Sequence, residues 1–391
     1  MKQVVSDLTR IGLTTAVLTA AILIPARLLP KGERVTAAPQ TEKLHIESVG
    51  PLELTGSMGV AINDKNEVVG TAFGDDEVRA FIVRGGKGNL LPLPKGAPFS
   101  AAAGINAKGE AVGIVGTEEH VRGTVWTGNK PGVLTSGKRD TMATTISGNS
   151  VAAGVAFDNQ GRTEEFAQLR SFYTCSKSFG TMTKAFMSEV APRLNWDWNS
   201  NMPLTLDNGF AGMQWAKAGD GKSIGEFVPQ AGNASGTLVG VTIGKNGPVP
   251  AAFKNGKIGM LPSPGGVQMA IPMSANEKDI FVGAGVTEDR MVKPVGWMDG
   301  KTGFLPVPGD KQGLALGINN NNQVVGVIEA ANGEAHAALW SGGKVIDLND
   351  AIEKREGWTL VQARGINNKG FIVGTGIKGG HVGAFMVGPI K

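Results

Sequence analysis

The sequence predicts an all-β fold: a β-propeller of four-stranded units of about 43 residues, with eight blades, or seven if residues 170–210 are an insertion within one blade. Three observations lead there. Glycine supplies 58 of 391 residues, roughly twice ordinary usage, and follows no G-x-y triplet, which excludes a collagen-like chain. A motif of Ile-Asn, a short turn and Val-Val-Gly returns along most of the chain at nearly constant spacing. Helix-length apolar periodicity is nearly absent, whereas short β-branched runs bounded by Asn-Asn, Asn-Gly and Gly-Gly steps are frequent. With 41% apolar residues the chain has enough to bury for a folded core.

The first element is a leader. Residues Ile11 to Ala26 carry no charge, and Lys2 and Arg10 precede them. This pattern reads as a signal peptide or signal anchor over 1–37, with small residues permitting cleavage near Ala37. The apolar run is shorter than the ~20 residues of a comfortable membrane span. Lys2, Arg10, Arg27, Lys31 and Arg34 stand in the leader against Asp7 and Glu33. Most of the formal net charge of +4 therefore belongs to the leader, and a nucleic-acid partner is not expected. Residues 38–43 form a short polar linker, and membrane contact is expected only through a retained leader. The lone Cys175 excludes an intramolecular disulfide.

The propeller domain spans 44–391. The run Leu44 to Val49 precedes the first complete unit, and the last unit ends at Lys391 without room for a final strand. The N-terminal run is expected to supply that strand, closing the last blade and removing the open edges of an unclosed stack. The units are marked by Gly70, Gly113, Gly154, Gly240, Gly283, Gly326 and Gly374, spaced 43, 41, 86, 43, 43 and 48 residues apart. The interval of 86 equals two periods, which predicts one degenerate copy around Asn208 to Gly212 with Phe227 as its aromatic. A small or apolar residue followed by an aromatic completes most units: Ala80-Phe81, Val125-Trp126, Ala252-Phe253, Gly296-Trp297, Leu339-Trp340 and Ala384-Phe385. Glu165-Phe166 holds the same place in a weaker copy. These aromatics are expected to pack between neighbouring blades. The glycines are expected in turns that need positive φ and in strands crowded around a central channel.

The copy Gly317-Ile318-Asn319-Asn320-Asn321-Asn322-Gln323-Val324-Val325-Gly326, continuing through Gly333-Glu334-Ala335-His336-Ala337-Ala338-Leu339-Trp340, resembles the HAF family of bacterial extracellular repeats. His336-Ala337 keeps the His-Ala of that repeat, while Ala338 stands where Phe is usual. In the terminal copy Val382-Gly383 follows His381 in place of Ala-Phe. The resemblance covers about residues 55–388, with a poor middle, and implies a secreted or surface-associated repeat protein. It implies no catalytic residues.

Side chains able to do chemistry are sparse. His336 and His381 each precede their unit's aromatic by four residues, with His120 near the matching point, so a metal site around a rim is geometrically conceivable; structural histidines are the plainer expectation. Asn63, Asn106, Asn319 and Asn367 recur before the turn, either as a ligand ring or, more simply, as caps of their own turns. Asp75-Asp76-Glu77 and Glu118-Glu119 fall in corresponding loops but match no calcium-loop pattern. Gly221-Lys222-Ser223 and Gly300-Lys301-Thr302 carry only the end of a phosphate-loop signature. No catalytic, cofactor or metal residue is assigned. The segment 170–205 breaks the repeat and interleaves aromatics with basic residues, so Arg170, Tyr173, Trp196 and Trp198 are a candidate interaction surface. Buried aromatics of a degenerate blade are the alternative there.

These features predict a protein exported from the cytoplasm, periplasmic, extracellular or membrane-anchored, acting as a binding or structural scaffold. Candidate partners are carbohydrate, peptide or an envelope protein. Two alternatives stay open: an extracellular enzyme of lyase or glycosidase type with its site in the propeller mouth, and an adhesion or envelope-assembly protein binding through 170–205.

Overall fold

The computed structural model describes residues 44–390 apart from 52–53, 75–76, 117–120, 129, 158–210, 245–246 and 290. The leader, the linker 38–43 and the candidate surface residues therefore lie outside the described residues. Among those described, no helix is long and apolar enough to cross a membrane.

The chain opens with β1 (His45–Ser48) and then builds sheets in sequence order. Blade one is β2 (Gly56–Ile62), β3 (Val68–Phe73), β4 (Val78–Arg84) and β5 (Lys87–Leu90). Blade two is β6 (Phe99–Ile105), β7 (Ala111–Gly116), β8 (Val121–Thr127) and β9 (Lys130–Thr135). Blade three is β10 (Asp140–Ile146), β11 (Ala152–Phe157) and β12 (Ala211–Trp215); the two-residue β13 (Gly219–Asp220) then pairs with β9 before β14 (Lys222–Gly225) completes the blade. Blade four is β15 (Phe227–Gly232), β16 (Leu238–Gly244), β17 (Gly247–Lys254) and β18 (Lys257–Met260). Blade five is β19 (Val267–Ala275), β20 (Phe281–Thr287), β21 (Val292–Met298) and β22 (Lys301–Phe304). Blade six is β23 (Gly313–Ile318), β24 (Val324–Glu329), β25 (Ala335–Ser341) and β26 (Lys344–Asp347), followed by the one-turn α1 (Leu348–Ala351). Blade seven is β27 (Trp358–Ile366), β28 (Ile372–Lys378) and β29 (His381–Gly388), with β1 as its outer strand.

The expected closure is present: β1 runs antiparallel to β29, with His45 opposite Gly388 and Ser48 opposite Phe385. The first strand of every blade touches the first strand of the next, and β27 touches β2, so these strands form a closed inner wall. Because neighbouring strands are antiparallel, the connections from first to second and third to fourth strand lie on one rim, here the turn rim. Those from second to third strand, and onward to the next blade, lie on the loop rim.

The propeller has seven blades, which corrects the expectation of eight. The interval of 86 residues holds one blade and an insertion. The connection 158–210 separates β11 from β12, where four residues separate β3 from β4 and two separate β28 from β29. It lengthens the Gly154–Gly240 interval to 86 residues, two periods, so spacing alone counts an extra unit. Trp215 on β12 supplies the aromatic of blade three, and Phe227 opens β15, stacked on Phe253 at 6.3 Å between ring centroids.

The aromatics do pack at blade seams, but they occupy two register positions. Trp126, Trp215, Phe253, Trp297 and Trp340 stand opposite the residue two before the marker glycine. Phe81 and Phe385 stand opposite the glycine itself. Each of the four tryptophans donates its indole N–H across the seam to a carbonyl of the preceding blade: Pro92, Thr135, Pro262 and Pro306, at 2.6–2.8 Å. A buried indole thus meets its polar need while filling the seam.

None of the seven marker glycines has a positive φ. Their constraint is a β-bulge in the first strand of every blade, such as that between Ala315 and Gly317. The bulge drives a carbonyl onto the facing glycine: a Cβ on Gly326 would stand 2.0 Å from the Leu314 oxygen, and one on Gly113 2.0 Å from that of Ala101. Close backbone approach, rather than turn geometry, therefore accounts for the Val-Val-Gly signature.

Candidate functional site

Arg170, Tyr173, Trp196, Trp198 and Cys175, together with His120 and Phe166, lie outside the described residues. The chain departs for that segment from the end of β11 and returns at β12, on the loop rim.

His336 and His381, both on described strands, prove not to be equivalent. His336 pairs with Ile328, two residues past Gly326, whereas His381 pairs with Lys378, four past Gly374. The place of His336 is held in other blades by Arg79, Arg122 and Lys293. All four do the same work. Arg79 donates to the Leu91 carbonyl at 3.1 Å, Arg122 to that of Arg139 at 2.7 Å, and Lys293 to that of Lys311 at 2.9 Å. His336 Nδ1 meets Asp347 Oδ2 at 2.5 Å. Each ties the third strand to the segment that ends its blade and leads to the next. The bond to Asp347 raises the His336 pKa above its ordinary 6.5, against burial, which lowers it. Burial also acts to raise Asp347, but the His336 bond and the Asn349 N–H together hold its carboxyl below the usual range. Among the described residues, no group of three or more His, Cys, Asp or Glu is placed to hold a metal ion.

The recurrent asparagines are turn caps, and they do more. Asn319 Oδ1 accepts from the N–H groups of Asn321 and Gln323, at 3.0 and 2.9 Å. Its amide donates across the seam to the Asn367 carbonyl at 3.0 Å. The same bond runs from Asn63 to Asn106, Asn106 to Ser147, Asn233 to Asn276, Asn276 to Asn319 and Asn367 to Asn63, at 2.9–3.1 Å. Six of seven seams are thus bridged by one buried amide each. At the seventh, Ser147 replaces asparagine, and Gly148 N–H donates to the Ala234 carbonyl at 3.0 Å while Thr144 Oγ1 donates to that of Pro229 at 2.9 Å. These asparagines are 3–5% exposed, which leaves them closed to a ligand.

The seams differ in what fills them on the turn rim. At seam one–two, Glu67 follows the turn and faces Arg84 at the end of β4. Arg84 Nε donates to Glu67 Oε1 at 3.0 Å, and Nη2 to the Gly109 carbonyl at 2.8 Å. At seam four–five, the Lys254 ammonium pairs with Asp279. At seam two–three, the matching carboxylate is Glu110, and Thr127 stands in the place of Arg84. Here Glu110 Oε2 accepts from the Asn106 amide at 2.7 Å, and among the described residues no cation lies within ion-pair distance of it. A half-open cleft of about 290 Å³ remains. Val125, Pro131, Ala216 and Ala218 form its accessible apolar lining with Leu134 and Trp215 buried behind them, Glu110 and Ser150 line it on the turn side, and the exposed Lys130 and Lys217 line it as well. Arg84, Glu110 and Thr127 carry no motif that marks them in the sequence. Aligning copies on the turn asparagine exposes the glutamates, but the facing residue is fixed only by strand register.

No family model matches the chain, and no curated protein matches it. Solved structures do. The β-propeller domain of the Trilobed protease from Pyrococcus furiosus, described as having an open velcro topology, superposes with a TM-score of 0.52 at 9% identity, covering 86% of this chain and 93% of that one. The likeness is one of fold. Weaker likenesses include Pyrococcus horikoshii acylaminoacyl peptidase (TM-score 0.47, 12% identity, 84% of this chain and 50% of that one). Another is YCF48 bound to D1 peptide (TM-score 0.49, 10% identity, 90% and 97%).

Apolar side chains of the inner strands gather in clusters that span several blades. Ala101, Met142, Val228 and Ile271 from four inner strands share one cluster, and Met273, Leu314, Leu316 and Val361 share another. The buried charges on inner strands, Asp140 and Arg364, are both engaged in interactions. The partial phosphate loops are strand starts: Lys222 opens β14 and Lys301 opens β22, with no helix behind either.

Proposed function

We propose that this protein is an exported propeller that serves as a binding or structural scaffold, secreted or held at the membrane by its leader. The observation that supports this most is the use of its polar side chains. Amides, indoles and the basic residues of the third strands are engaged in holding blades together, and apolar side chains of the inner strands pack in clusters across blades. An enzyme in the propeller mouth calls for converging acids, bases or metal ligands. The resemblance to HAF repeats supports an extracytoplasmic setting.

The partner we propose for the loop rim is a carbohydrate, peptide or envelope protein, contacted through Arg170, Tyr173, Trp196 and Trp198 of the long connection. The test is a glycan and peptide binding screen on the full chain, repeated with Trp196→Ala/Trp198→Ala. Saturable binding that is lost in a folded double variant supports the proposal. Turnover of a polysaccharide, or unchanged binding by the double variant, overturns it.

A further inference from the structure

The repeat frame shows its own ligand. Three seams carry a carboxylate at the turn position of Glu67 or Asp279, apart from Asp64 at seam seven–one, which Asn368 holds, and two of the three fill the groove with a basic side chain from the same chain: Arg84 against Glu67, and Lys254 against Asp279. The third, at seam two–three, keeps the acceptors and lacks the cation. Glu110 stands where Glu67 does, the Ser150 carbonyl holds the turn position of Gly109, and Thr127 is too short to reach either. The space that Arg84 occupies in one seam is thus an open cleft of about 290 Å³ in the next. That volume suits a single long side chain rather than a larger cofactor. Its accessible apolar lining of Val125, Pro131, Ala216 and Ala218 suits the aliphatic stem of arginine, with Leu134 and Trp215 buried behind it.

We propose that seam two–three binds the guanidinium group of a ligand that also carries a carboxylate: free arginine or a peptide ending in arginine. The guanidinium donates to Glu110 and to the Ser150 carbonyl, as Arg84 donates to Glu67 and to that of Gly109. The anionic requirement comes from Lys130 and Lys217, which line the cleft, and from Lys108, whose ammonium donates to Ser150 Oγ at 2.7 Å. A purely cationic ligand meets repulsion from all three. The proposal deepens the scaffold reading by naming a ligand class. It concerns the rim opposite the long connection, so either can fail alone.

The experiment is calorimetric titration of the full chain with L-arginine, N-acetyl-Gly-Arg, its C-terminal amide, and citrulline, which keeps arginine's shape without its charge. Free arginine or the acid peptide should bind saturably, and which of them binds tells the two sources apart. The amide should bind several-fold more weakly, and citrulline should not bind. Glu110→Gln should weaken binding at least tenfold. Thr127→Arg, which supplies the missing plug from within, should abolish it while melting at or above the wild-type temperature. Absence of saturable binding by both arginine and the acid peptide overturns the proposal. So does equal binding of citrulline, or full binding by a folded Thr127→Arg variant. Equal binding of acid and amide removes the role given to the lysines.

Discussion

Seams one–two and two–three are built on the same plan and end differently. Both are bridged by an asparagine amide, Asn63 to Asn106 and Asn106 to Ser147. Both bury a tryptophan whose indole reaches back to the preceding blade. Both receive a hydroxyl from the next inner strand: Ser100 accepts from Ala80 N–H, and Thr141 from Gly123 N–H, each at 2.9 Å. Yet one groove is plugged by Arg84 and the other stands open beside Thr127. The comparison teaches that a repeat sets acceptors and packing everywhere, while a single departure from it decides whether a seam is closed or free to bind.

The largest predicted effect breaks the shared frame. Gly113→Ala puts a Cβ 2.0 Å from the Ala101 carbonyl in a buried strand, and should destabilise by about 3 kcal/mol or more in denaturant unfolding. Gly128→Ala, in an open turn at φ 61°, should cost only about 1 kcal/mol, so equal losses would refute the bulge argument. Next comes Asn106→Ala, which removes two turn caps and the bridge to Ser147, for about 2 kcal/mol by the same measurement. A loss within a few tenths would show the amide bridge to be incidental.

A smaller effect sharpens the comparison directly. Arg84→Thr should cost about 1 kcal/mol, because the pair is partly exposed. If an open groove is what binds arginine, this variant should also gain a second site by calorimetry.

The smallest effect is a pH response outside both seams. His336 has a raised pKa, so its stabilising share is complete below its ordinary 6.5 and is lost as pH rises through the folded value. Asp347 has a lowered pKa, so its share is present above its ordinary 3.8 and is lost as pH falls through the folded value. The stability gap between wild type and His336→Asn, up to about 1 kcal/mol near pH 6, should shrink by pH 9. A constant gap would assign His336 to packing alone.

Much of the fold was legible because repetition turns tertiary facts into sequence periods. The marker glycines fall one in each of the seven blades, and the shortfall of a strand at the C-terminus placed β1 at the outer edge of the last. The miscounted blade has a physical cause: a connection that lengthens its interval by one period cannot be told from a unit by spacing. The equivalence of His336 and His381 failed similarly, because counting back from the aromatic assumes one register position where there are two. The seam cleft escaped sequence analysis because Glu110, Thr127 and Ser150 are ordinary residues in three separate strands and turns.

The sequence by itself determined an all-β repeat of about 43 residues, its closure by the N-terminal strand and the capping role of its asparagines. These depend on local backbone chemistry, which each copy states again. The tertiary structure alone decided the count of seven, the carbonyl that forbids a side chain on each marker glycine, and the difference between a plugged seam and an open one. Those depend on which strand faces which across a sheet and across a seam, a distance that chain spacing does not encode.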